Sequence, residues 1–465
     1  MKNLSISCGS GDILSPDRIR LSQLIKSRYA QPPACYIHTY GCAQNVSDSE
    51  KIMRVLSDCG YVFTDKPENA DLIVLNTCAV RENAHDRVFG NLGGFKKLKQ
   101  KNNDLIICVC GCMTQQKPVV DIMEKSYGFV DVVFGTYGAK QLPDMLYEVM
   151  KNGKRVVRSF DEGDLISEEM KQLRSDTVRA SVPIMYGCNN FCSYCIVPYV
   201  RGRERSREVS AVCDEVRELV GNGCKEITLL GQNVNSYSYG FVKLLERIND
   251  IEGDFRVRFL SSHPKDAGRE LIDAILSLDK VCKHLHLPVQ SGNDEILKKM
   301  NRHYTVGDYL EIVDYAREKD PSFSFTTDII VGFPGESYEQ FCDTKKLLHR
   351  VRFDNIFSYV YSKRSGTKAA QLEDNVSDKE KGMLLRELLE EQRVITEKWL
   401  GRFVGKTLTV LPTEKGRTGE GYISGKSDEN IIVEFKGGER LINSFVRVKI
   451  IKAMNWALLG EIEDK

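Results

Sequence analysis

Apolar and polar residues alternate along this chain in two patterns, which predict two kinds of structure. Between residues 34 and 150, short apolar runs alternate with amphipathic stretches; the runs are 36–40, 71–76, 105–110 and 130–134, and the stretches are 45–59, 82–100, 113–125 and 142–151. Strands that alternate with helices indicate a parallel sheet covered by helices. Residues 34–150 are therefore predicted to form a doubly wound α/β domain.

The same alternation returns in residues 174–401. Six strand candidates are separated by helical stretches, and a long charged helix follows at 377–400; the strand candidates are 181–186, 226–230, 256–261, 284–289, 324–331 and 355–361. Six βα units in this length fit a partial (β/α)6 barrel better than an open sheet, although the periodicity alone does not exclude the sheet.

The pattern changes in residues 402–465, where short alternating runs at 407–411, 431–435 and 446–450 are separated by glycine-rich turns. These runs predict a small antiparallel β barrel. Residues 151–173 are charged and weakly periodic, so we expect a linker there. Residues 1–33 end in Gln31-Pro32-Pro33 and are predicted to be a poorly ordered tail.

Composition restricts the function classes. The 66 basic and 65 acidic residues give a net charge of +1, which excludes a uniformly basic nucleic-acid coat but allows a local basic patch. The apolar runs fall short of the roughly 18 residues that a membrane span needs, and the N-terminus lacks the apolar core of a signal peptide. We therefore expect a cytoplasmic protein. Its 15 cysteines then indicate metal-binding or catalytic thiolates rather than a disulfide framework.

The sharpest motif is the C-x3-C-x2-C run of Cys188, Cys192 and Cys195, which directly follows the first strand of the predicted barrel. A structural zinc site would need a fourth ligand, and the next cysteine, Cys213, lies on a predicted helix. Three thiolates on a four-iron cluster would instead leave one iron open for a substrate or cofactor. A zinc site completed by a distant residue stays open as the alternative.

A second set of cysteines, Cys42, Cys78 and Cys112, lies just past the carboxyl ends of three predicted strands in the first domain. Such ends share one edge of a parallel sheet, where ligands of these folds bind. Three core cysteines are the plainer reading, because free cysteine is often buried. The identical placement on three strands favours a second cluster.

Two further features suggest a site at the end of the predicted barrel. Glycine and polar residues close three of its strands at 229–233, 287–292 and 327–336, although ordinary turn chemistry would explain any one of them. Four arginines follow the cysteine loop, where they could bind RNA phosphates; a solvated charged loop is the alternative, and the residues are Arg201, Arg203, Arg205 and Arg207.

The cysteine loop, with an aromatic residue before its last cysteine, resembles the signature of radical S-adenosylmethionine (SAM) enzymes. Together with Tyr40-Gly41-Cys42, Asn76-Thr77-Cys78 and Gly111-Cys112-Met113, it makes the chain resemble the methylthiotransferase family from about residue 34 to the end. The C-terminal barrel resembles a TRAM domain. Less specific sequence similarity at 81–84 and 197–207 favours the family type that modifies N6-(dimethylallyl)adenosine in tRNA.

This resemblance implies two 4Fe–4S clusters and two molecules of SAM per turnover. Cys188, Cys192 and Cys195 would hold the cluster that cleaves SAM to a 5′-deoxyadenosyl radical. Cys42, Cys78 and Cys112 would hold an auxiliary cluster that carries the sulfur inserted at carbon 2 of the adenine next to the anticodon, nucleotide 37. We expect a SAM pocket at the barrel end, formed by Tyr194, Gly231, Gln232, Ser291 and Asp328.

The expected partners are the anticodon stem-loop of a tRNA and an external low-potential electron donor, similar to flavodoxin or ferredoxin. We expect a monomer and no membrane contact. Sister methylthiotransferases act on threonylcarbamoyl-adenosine in tRNA or on an aspartate of a ribosomal protein, and they share all six cysteines. A non-enzymatic iron–sulfur or zinc module that binds RNA is the remaining alternative.

Overall fold

The computed structural model describes residues 15–80, 82–158 and 170–463. These residues divide into two compact units. The first comprises Met1–Asp176 together with Ile196–Arg203, and the second comprises Thr177–Cys195 together with Glu204–Lys465. The short segment that follows the cysteine loop therefore belongs to the first unit.

The first unit is built on a six-stranded sheet in which every strand pair is parallel, in the order β2-β1-β3-β4-β5-β6. Its strands are β1 Ala34–Thr39, β2 Val62–Phe63, β3 Leu72–Thr77, β4 Ile106–Gly111, β5 Val132–Phe134 and β6 Val156–Arg158. Its helices are α1 Pro16–Arg28, α2 Ala43–Cys59, α3 Glu82–Lys101, α4 Lys117–Ser126, α5 Leu142–Asn152 and α6 Val197–Arg201.

Two apolar cores cover the two faces of this sheet. Alternate residues of β3 point to opposite sides, so Leu72 and Val74 join one core while Ile73 and Leu75 join the other. A parallel strand that is buried on both faces needs such a continuous apolar run. The doubly wound α/β architecture is therefore confirmed.

The structure corrects two predictions at the borders of this unit. The tail was predicted to be poorly ordered, but residues 16–28 form helix α1, and Leu21 and Ile25 are buried in the core beneath it. Residues 1–14 lie outside the described residues. Part of the predicted linker is strand β6, which pairs with β5, while residues 159–169 lie outside the described residues.

The second unit begins with six parallel strands that are joined by helices. They form two three-stranded sheets, β11-β10-β7 and β12-β13-β14, and a parallel bridge from Val257 to Val281 continues the first sheet toward the second. The strands are β7 Arg179–Pro183, β10 Glu226–Leu230, β11 Arg256–Phe259, β12 His284–His286, β13 Ser324–Val331 and β14 Asn355–Val360; β8 Met185–Tyr186 and β9 Arg205–Ser206 form a separate antiparallel ribbon. The predicted partial barrel is confirmed.

Helices follow these strands and cover the core of the partial barrel. They are α7 Val209–Gly221, α8 Phe241–Asn249, α9 Arg269–Ser277, α10 Asp294–Lys299, α11 Val306–Lys319, α12 Tyr338–Val351 and α13 Asp378–Leu400. Among the described residues, none of the helices is both long and apolar enough to cross a membrane.

The C-terminal segment forms a closed β barrel in the order β15-β16-β17-β19-β18. The prediction of a small β barrel in this segment is confirmed. The strands are β15 Thr407–Lys415, β16 Tyr422–Ser427, β17 Ile432–Lys436, β18 Val446–Ala453 and β19 Leu458–Ile462. Four of its five strand pairs are antiparallel, and β17 and β19 pair in parallel. A closed ring with an odd number of strands cannot alternate in direction throughout, so one parallel pair is required.

Buried charges attach the C-terminal barrel to β10 and β11. Glu226 accepts 2.8 Å hydrogen bonds from Nε of both Arg256 and Arg258. The Nη2 atoms of the two arginines then donate to the backbone oxygens of Lys426 and Ser427 at the end of β16. Burial opposes the charge on Glu226, but the two arginines outweigh it and lower the pKa of this carboxyl to about 2.

Candidate metal centres and cofactor pocket

The first cysteine triad lies at one edge of the sheet in the first unit. Cys42 follows β1 as the N-cap residue of α2, Cys78 directly follows β3, and Cys112 directly follows β4. These three strands are neighbours in the sheet and run in the same direction, so their carboxyl ends bring the three thiols to one place. Cys78 and Cys112 are buried, whereas Cys42 is exposed.

Asn45, in the first turn of α2, links two members of this triad, Cys42 and Cys112. Its Oδ1 accepts a 3.3 Å hydrogen bond from the thiol of Cys42, and its Nδ2 lies 3.9 Å from Sγ of Cys112. The same Nδ2 also donates to the Thr77 carbonyl at 3.0 Å, while Nδ2 of Asn76 donates back to the Asn45 carbonyl at 2.8 Å. This buried amide network fixes the strand ends and the helix relative to one another.

Two glycines permit the close approach of the cysteine-bearing turns. Gly41 has φ of +151°, and a Cβ atom there would lie 2.8 Å from Cβ of Cys78. Gly111 has φ of +102°, and its Cβ would lie 2.5 Å from the Thr77 carbonyl oxygen. Any side chain at these two positions would force the turns apart.

A buried arginine lies beside this triad. Arg201, the last residue of α6, is 5% exposed, and its Nη2 lies 2.7 Å from Oδ2 of Asp48 in α2. The segment that carries it packs against Cys112 through Ile196 and Val200. Burial opposes the charge of Arg201, but Asp48 and the thiols of Cys112 and Cys42 raise its pKa well above the usual value.

Arg201 therefore corrects an expectation from the sequence. It was grouped with arginines that could bind RNA phosphates, but a buried guanidinium paired to Asp48 is not available to a phosphate. Arg207 is also engaged, since its Nη1 donates to the Pro183 carbonyl and to Glu215, both at 2.7 Å. Arg203 is exposed and Arg205 is partly exposed, so these two keep the predicted RNA-binding role as a prediction.

The second triad lies on the loop after β8 in the second unit. Cys188 and Cys192 are buried, and Cys195 is partly buried. Residues 299–302 hold this loop: the Ser193 amide donates to the Met300 carbonyl at 2.9 Å, and Nδ2 of Asn301 donates to the Phe191 carbonyl at 3.0 Å. These hydrogen bonds to the neighbouring turn fix the conformation of the cysteine loop.

A second buried arginine contacts this triad directly. Nη1 of Arg302 donates to Sγ of Cys192 at 3.4 Å, its Nη2 donates to the Pro288 carbonyl at 2.7 Å, and its Nε donates to Oη of Tyr304 at 3.1 Å. These hydrogen bonds fix the plane of the guanidinium. A charged donor at a cysteine sulfur favours the thiolate that metal binding requires.

The donor chemistry of each triad, three cysteine sulfurs, is that of iron–sulfur sites. Burial raises the pKa of Cys112 and of Cys188 to about 11, so a metal that binds them must displace protons. Within the described ranges, no group of three His, Cys, Asp or Glu side chains is arranged so that it could hold one metal ion.

Polar atoms without partners line the barrel end next to the second triad. Among the described residues, Oε1 of Gln232, Oδ1 of Asn233, Oγ of Ser262 and Nε2 of His263 are buried and have no hydrogen-bond partner. They follow β10 and β11 at the carboxyl ends of these strands. Unpaired buried polar atoms are costly, so this cluster fits a polar ligand such as SAM.

His263 has a defined protonation state in this pocket. Its Nδ1 accepts a 3.2 Å hydrogen bond from the Lys265 amide, which leaves the proton of the neutral ring on Nε2. Burial, together with Arg302 and Lys265, lowers the pKa of His263 to about 2. The ring also packs edge-on against Tyr304, with centroids 5.6 Å apart. His263 therefore offers an unpaired N–H donor.

The five residues that were predicted to form the SAM pocket lie in different environments in the structure. Gln232 and Asp328 carry polar atoms at the barrel end, where Oδ1 of Asp328 lies 3.6 Å from Nε2 of His286. Tyr194 is partly buried against the small apolar cluster around Phe333. Gly231 makes room for Met185, whose Cγ would lie 2.5 Å from an added Cβ. Ser291 is fully buried and its Oγ accepts a hydrogen bond from the Asn293 amide, so its place in the SAM pocket stays a prediction.

Asn45, His263 and Arg302 were not found by the sequence analysis. Arg302 lies 110 positions from Cys192, and Asn45, although only three residues from Cys42, reaches Cys112 across 67 positions. Sequence analysis identifies residues that lie within a recognisable motif, and none of these three lies within a cysteine motif.

Three family models match the chain in succession. The model described as Uncharacterized protein family UPF0004 matches residues 34–135, the Radical SAM superfamily matches residues 182–348, and the TRAM domain matches residues 401–462. The Radical SAM superfamily implies a 4Fe–4S cluster and SAM.

Curated relatives and solved structures extend these matches. A tRNA-2-methylthio-N(6)-dimethylallyladenosine synthase of Thermoanaerobacter pseudethanolicus is 47% identical over 435 residues, which cover 92% of each chain. The synthase of the same name from Clostridium tetani is 45% identical over 443 residues, covering 94% of this chain and 98% of the relative. A solved structure of the radical SAM methyltransferase TsrM of Kitasatospora setae, with tryptophan and a SAM analogue bound, is similar with a TM-score of 0.56. The match covers 73% of this chain and 75% of the TsrM chain at 15% sequence identity, so it shows the fold alone. On the identity and coverage of these relatives, this chain belongs to the family of tRNA-2-methylthio-N(6)-dimethylallyladenosine synthases.

Proposed function

We propose that this enzyme converts N6-(dimethylallyl)adenosine at nucleotide 37, next to the anticodon of a tRNA, to its 2-methylthio derivative. The methylthiolation chemistry rests on two separate cysteine triads, one at the carboxyl ends of β1, β3 and β4 and the other on the loop after β8. The choice of substrate rests on the 47% identity to a synthase named for that modification. Cys188, Cys192 and Cys195 would hold the radical SAM cluster. Cys42, Cys78 and Cys112 would hold a second, auxiliary 4Fe–4S cluster.

The triads suit this chemistry because each supplies three protein ligands. A four-iron cluster with three thiolates keeps one iron for an exchangeable ligand. When bound, the radical cluster and SAM supply one-electron cleavage of SAM, and the auxiliary cluster supplies sulfur for insertion. The protein contributes binding, orientation and exclusion of water around these groups.

The chain's own residues would orient SAM at the barrel end. His263 offers an N–H donor, while Gln232 and Asn233 offer amide oxygens, all three buried and unpaired within the described part of the chain. Asp328 adds a carboxylate on β13. Because Gln232, Asn233 and His263 follow the carboxyl ends of β10 and β11, they lie in the region where such folds carry their chemistry.

The proposed partner is the anticodon stem-loop, whose unpaired adenine is accessible without opening a duplex. Arg203 and Arg205 would contact backbone phosphates, and the C-terminal barrel would bind the body of the tRNA. An external low-potential donor similar to flavodoxin or ferredoxin would supply electrons. We propose a monomer that acts in the cytoplasm, where tRNA is available.

The direct test is an anaerobic incubation of the reconstituted protein with SAM, a reductant and several substrates. The substrates are tRNAs that carry dimethylallyl-adenosine or threonylcarbamoyl-adenosine, and a ribosomal protein with a target aspartate. Mass spectrometry of each product should show the methylthio increment only on the dimethylallyl-adenosine tRNA. An increment on either of the other substrates would assign the chain to a sister activity, and no increment on any would contradict the enzyme class.

A further inference from the structure

Each cysteine triad has one buried arginine beside it. Arg201 is 5% exposed on a segment that packs against Cys112, while Arg302 is 8% exposed and contacts Cys192. The two arginines lie in different compact units and on unrelated elements. A guanidinium is charged at every accessible pH, so each triad has a permanent positive charge next to its thiolates.

Arg302 acts through a hydrogen bond to sulfur. Its contacts to the Pro288 carbonyl and to Tyr304 hold the guanidinium, so Nη1 points at Sγ of Cys192 at 3.4 Å. Hydrogen bonds to the sulfurs and the net charge of the site are among the features that set the reduction potential of an iron–sulfur cluster. Both features favour the reduced, more negative state of a cluster at this loop.

Arg201 acts through its charge. Asp48 holds its Nη2 at 2.7 Å, and the segment that carries Arg201 packs against Cys112 through Ile196 and Val200. The Asp48 carboxylate offsets part of the positive charge of Arg201, and without Arg201 it would remain as an uncompensated negative charge on α2. Loss of Arg201 therefore makes the net charge around the site more negative.

We propose that Arg201 and Arg302 are positioning residues, each of which raises the reduction potential of the cluster at its own triad and leaves the other cluster unchanged. This inference rests on the proposed function, because it takes both triads as cluster ligands. The alternative is that the arginines only stabilise the fold, as buried ion pairs and hydrogen bonds do when one partner is removed.

The test measures each cluster alone in the full-length, anaerobically reconstituted chain. Replacement of Cys42, Cys78 and Cys112 by Ala isolates the radical cluster, and replacement of Cys188, Cys192 and Cys195 by Ala isolates the auxiliary cluster. Arg201→Met, Arg201→Lys, Arg302→Met and Arg302→Lys are then made in both backgrounds. Iron content, melting temperature and the midpoint potential from redox-titrated electron paramagnetic resonance are recorded for every variant.

Arg402→Met is the matched control. The Arg402 side chain is similarly buried and pairs with Asp354 at 2.5 Å, so its loss should lower the melting temperature without moving either potential. We expect Arg302→Met to make only the radical cluster harder to reduce, and Arg201→Met only the auxiliary cluster. The Lys variants should show smaller shifts, because they keep the charge but lose the planar fork.

If a Met variant loses its iron and the corresponding Lys variant retains it, the inference is also supported, because the cluster would then require the positive charge. Unchanged potentials in iron-replete Met variants would overturn it. So would equal iron loss in the Met and Lys variants with a melting temperature like that of Arg402→Met, because that result indicates a structural role. If the chain without Cys188, Cys192 and Cys195 holds no cluster at all, the proposed second cluster and the Arg201 half fail, while the Arg302 half is still decided.

Discussion

Oε2 of Glu336 accepts a 2.5 Å hydrogen bond from the amide of Gly332, so a buried carboxyl closes the turn that follows β13. Burial raises the pKa of Glu336 to about 7, although the amides of Gly332 and Phe333 act in the opposite direction. The folded state thus holds this proton more tightly than the unfolded state, whose reference value is 4.5. The resulting stability is complete below about pH 4.5 and is lost as the pH rises through 7.

We predict that Glu336→Gln removes this pH dependence, because glutamine keeps the acceptor oxygen but cannot ionise. The free energy of unfolding of the variant should exceed that of the parent by up to about 3 kcal/mol at pH 8 and match it near pH 4.5. Denaturant titrations at several pH values measure this difference. Glu311→Gln, an exposed change on α11, should leave the pH profile unchanged; parallel profiles for both variants and the parent would contradict the prediction.

Replacement of Cys188, Cys192 and Cys195 by Ala should remove one cluster and abolish formation of 5′-deoxyadenosine. Iron analysis should fall from about eight to about four atoms per chain. A control variant that replaces Cys59, Cys213 and Cys342, free cysteines outside both triads, should keep its iron and its activity. Reductive cleavage of SAM by the first variant would show that this loop does not hold the radical cluster.

Replacement of Cys42, Cys78 and Cys112 by Ala should separate the two chemistries. The variant should keep about four irons and some 5′-deoxyadenosine formation, because the other triad is intact. Methylthiolation of tRNA should be lost, since no cluster would present the sulfur. The two products are measured in the same reaction by chromatography and mass spectrometry; a normal yield of methylthio product would mean that the three residues are only core cysteines.

Replacement of His263 should weaken SAM binding, because it removes an unpaired buried N–H donor from the barrel end. For His263→Leu we expect the Kd for SAM to rise roughly tenfold, the effect of losing one hydrogen bond of about 1.4 kcal/mol. Equilibrium binding of SAM to the reconstituted protein measures this change. His349→Leu, which alters an exposed histidine paired with Glu391, is the control. Equal affinities in the two variants would place SAM away from His263.

The salt dependence of tRNA affinity tests the two accessible arginines. Each phosphate contact on a single strand contributes about 0.7 to the slope of log affinity against log salt. Arg203→Ala with Arg205→Ala should therefore flatten the slope by about 1.4. Lys117→Ala with Lys379→Ala removes the same charge from exposed positions on α4 and α13 and should leave the slope unchanged. Equal slopes in both double variants would exclude these arginines from the RNA contact.

The elements and the cysteine placements were accessible from the sequence because they depend on local patterns. Cys42, Cys78 and Cys112 could be placed at one sheet edge once three apolar runs were recognised as parallel strands. Arg201 was assigned to the surface because its neighbours in the chain are other charged residues. Its burial depends on Asp48, which is 153 positions away, and no periodicity shows such a contact.

Two strands of the C-terminal barrel were not predicted, for a physical reason. Strand β16 contains Gly425, whose missing Cβ allows close approach to the Leu411 carbonyl on β15, and the β15–β16 pairing shifts register between Pro412 and Glu414. Glycine inside a strand weakens the apolar alternation from which strands are recognised. Strand β19 contains Gly460 in a similarly close position beside Val448. Helix α1 was missed because it buries only Leu21 and Ile25 among many charged residues.

The assignment of Ile196–Arg203 to the first unit limits how this enzyme can be divided into fragments. A fragment that ends at Asp176 would carry Cys42, Cys78 and Cys112 but not Arg201, and it would leave Asp48 without its counter-charge. The residues of the first site therefore come from two separate stretches of the chain, and Thr177–Cys195 of the second unit lies between these stretches. An excised N-terminal module needs the 196–203 segment supplied as a peptide or spliced onto its end. Recombination between relatives at a single crossover in the 177–195 region would pair the triad of one parent with the arginine of the other.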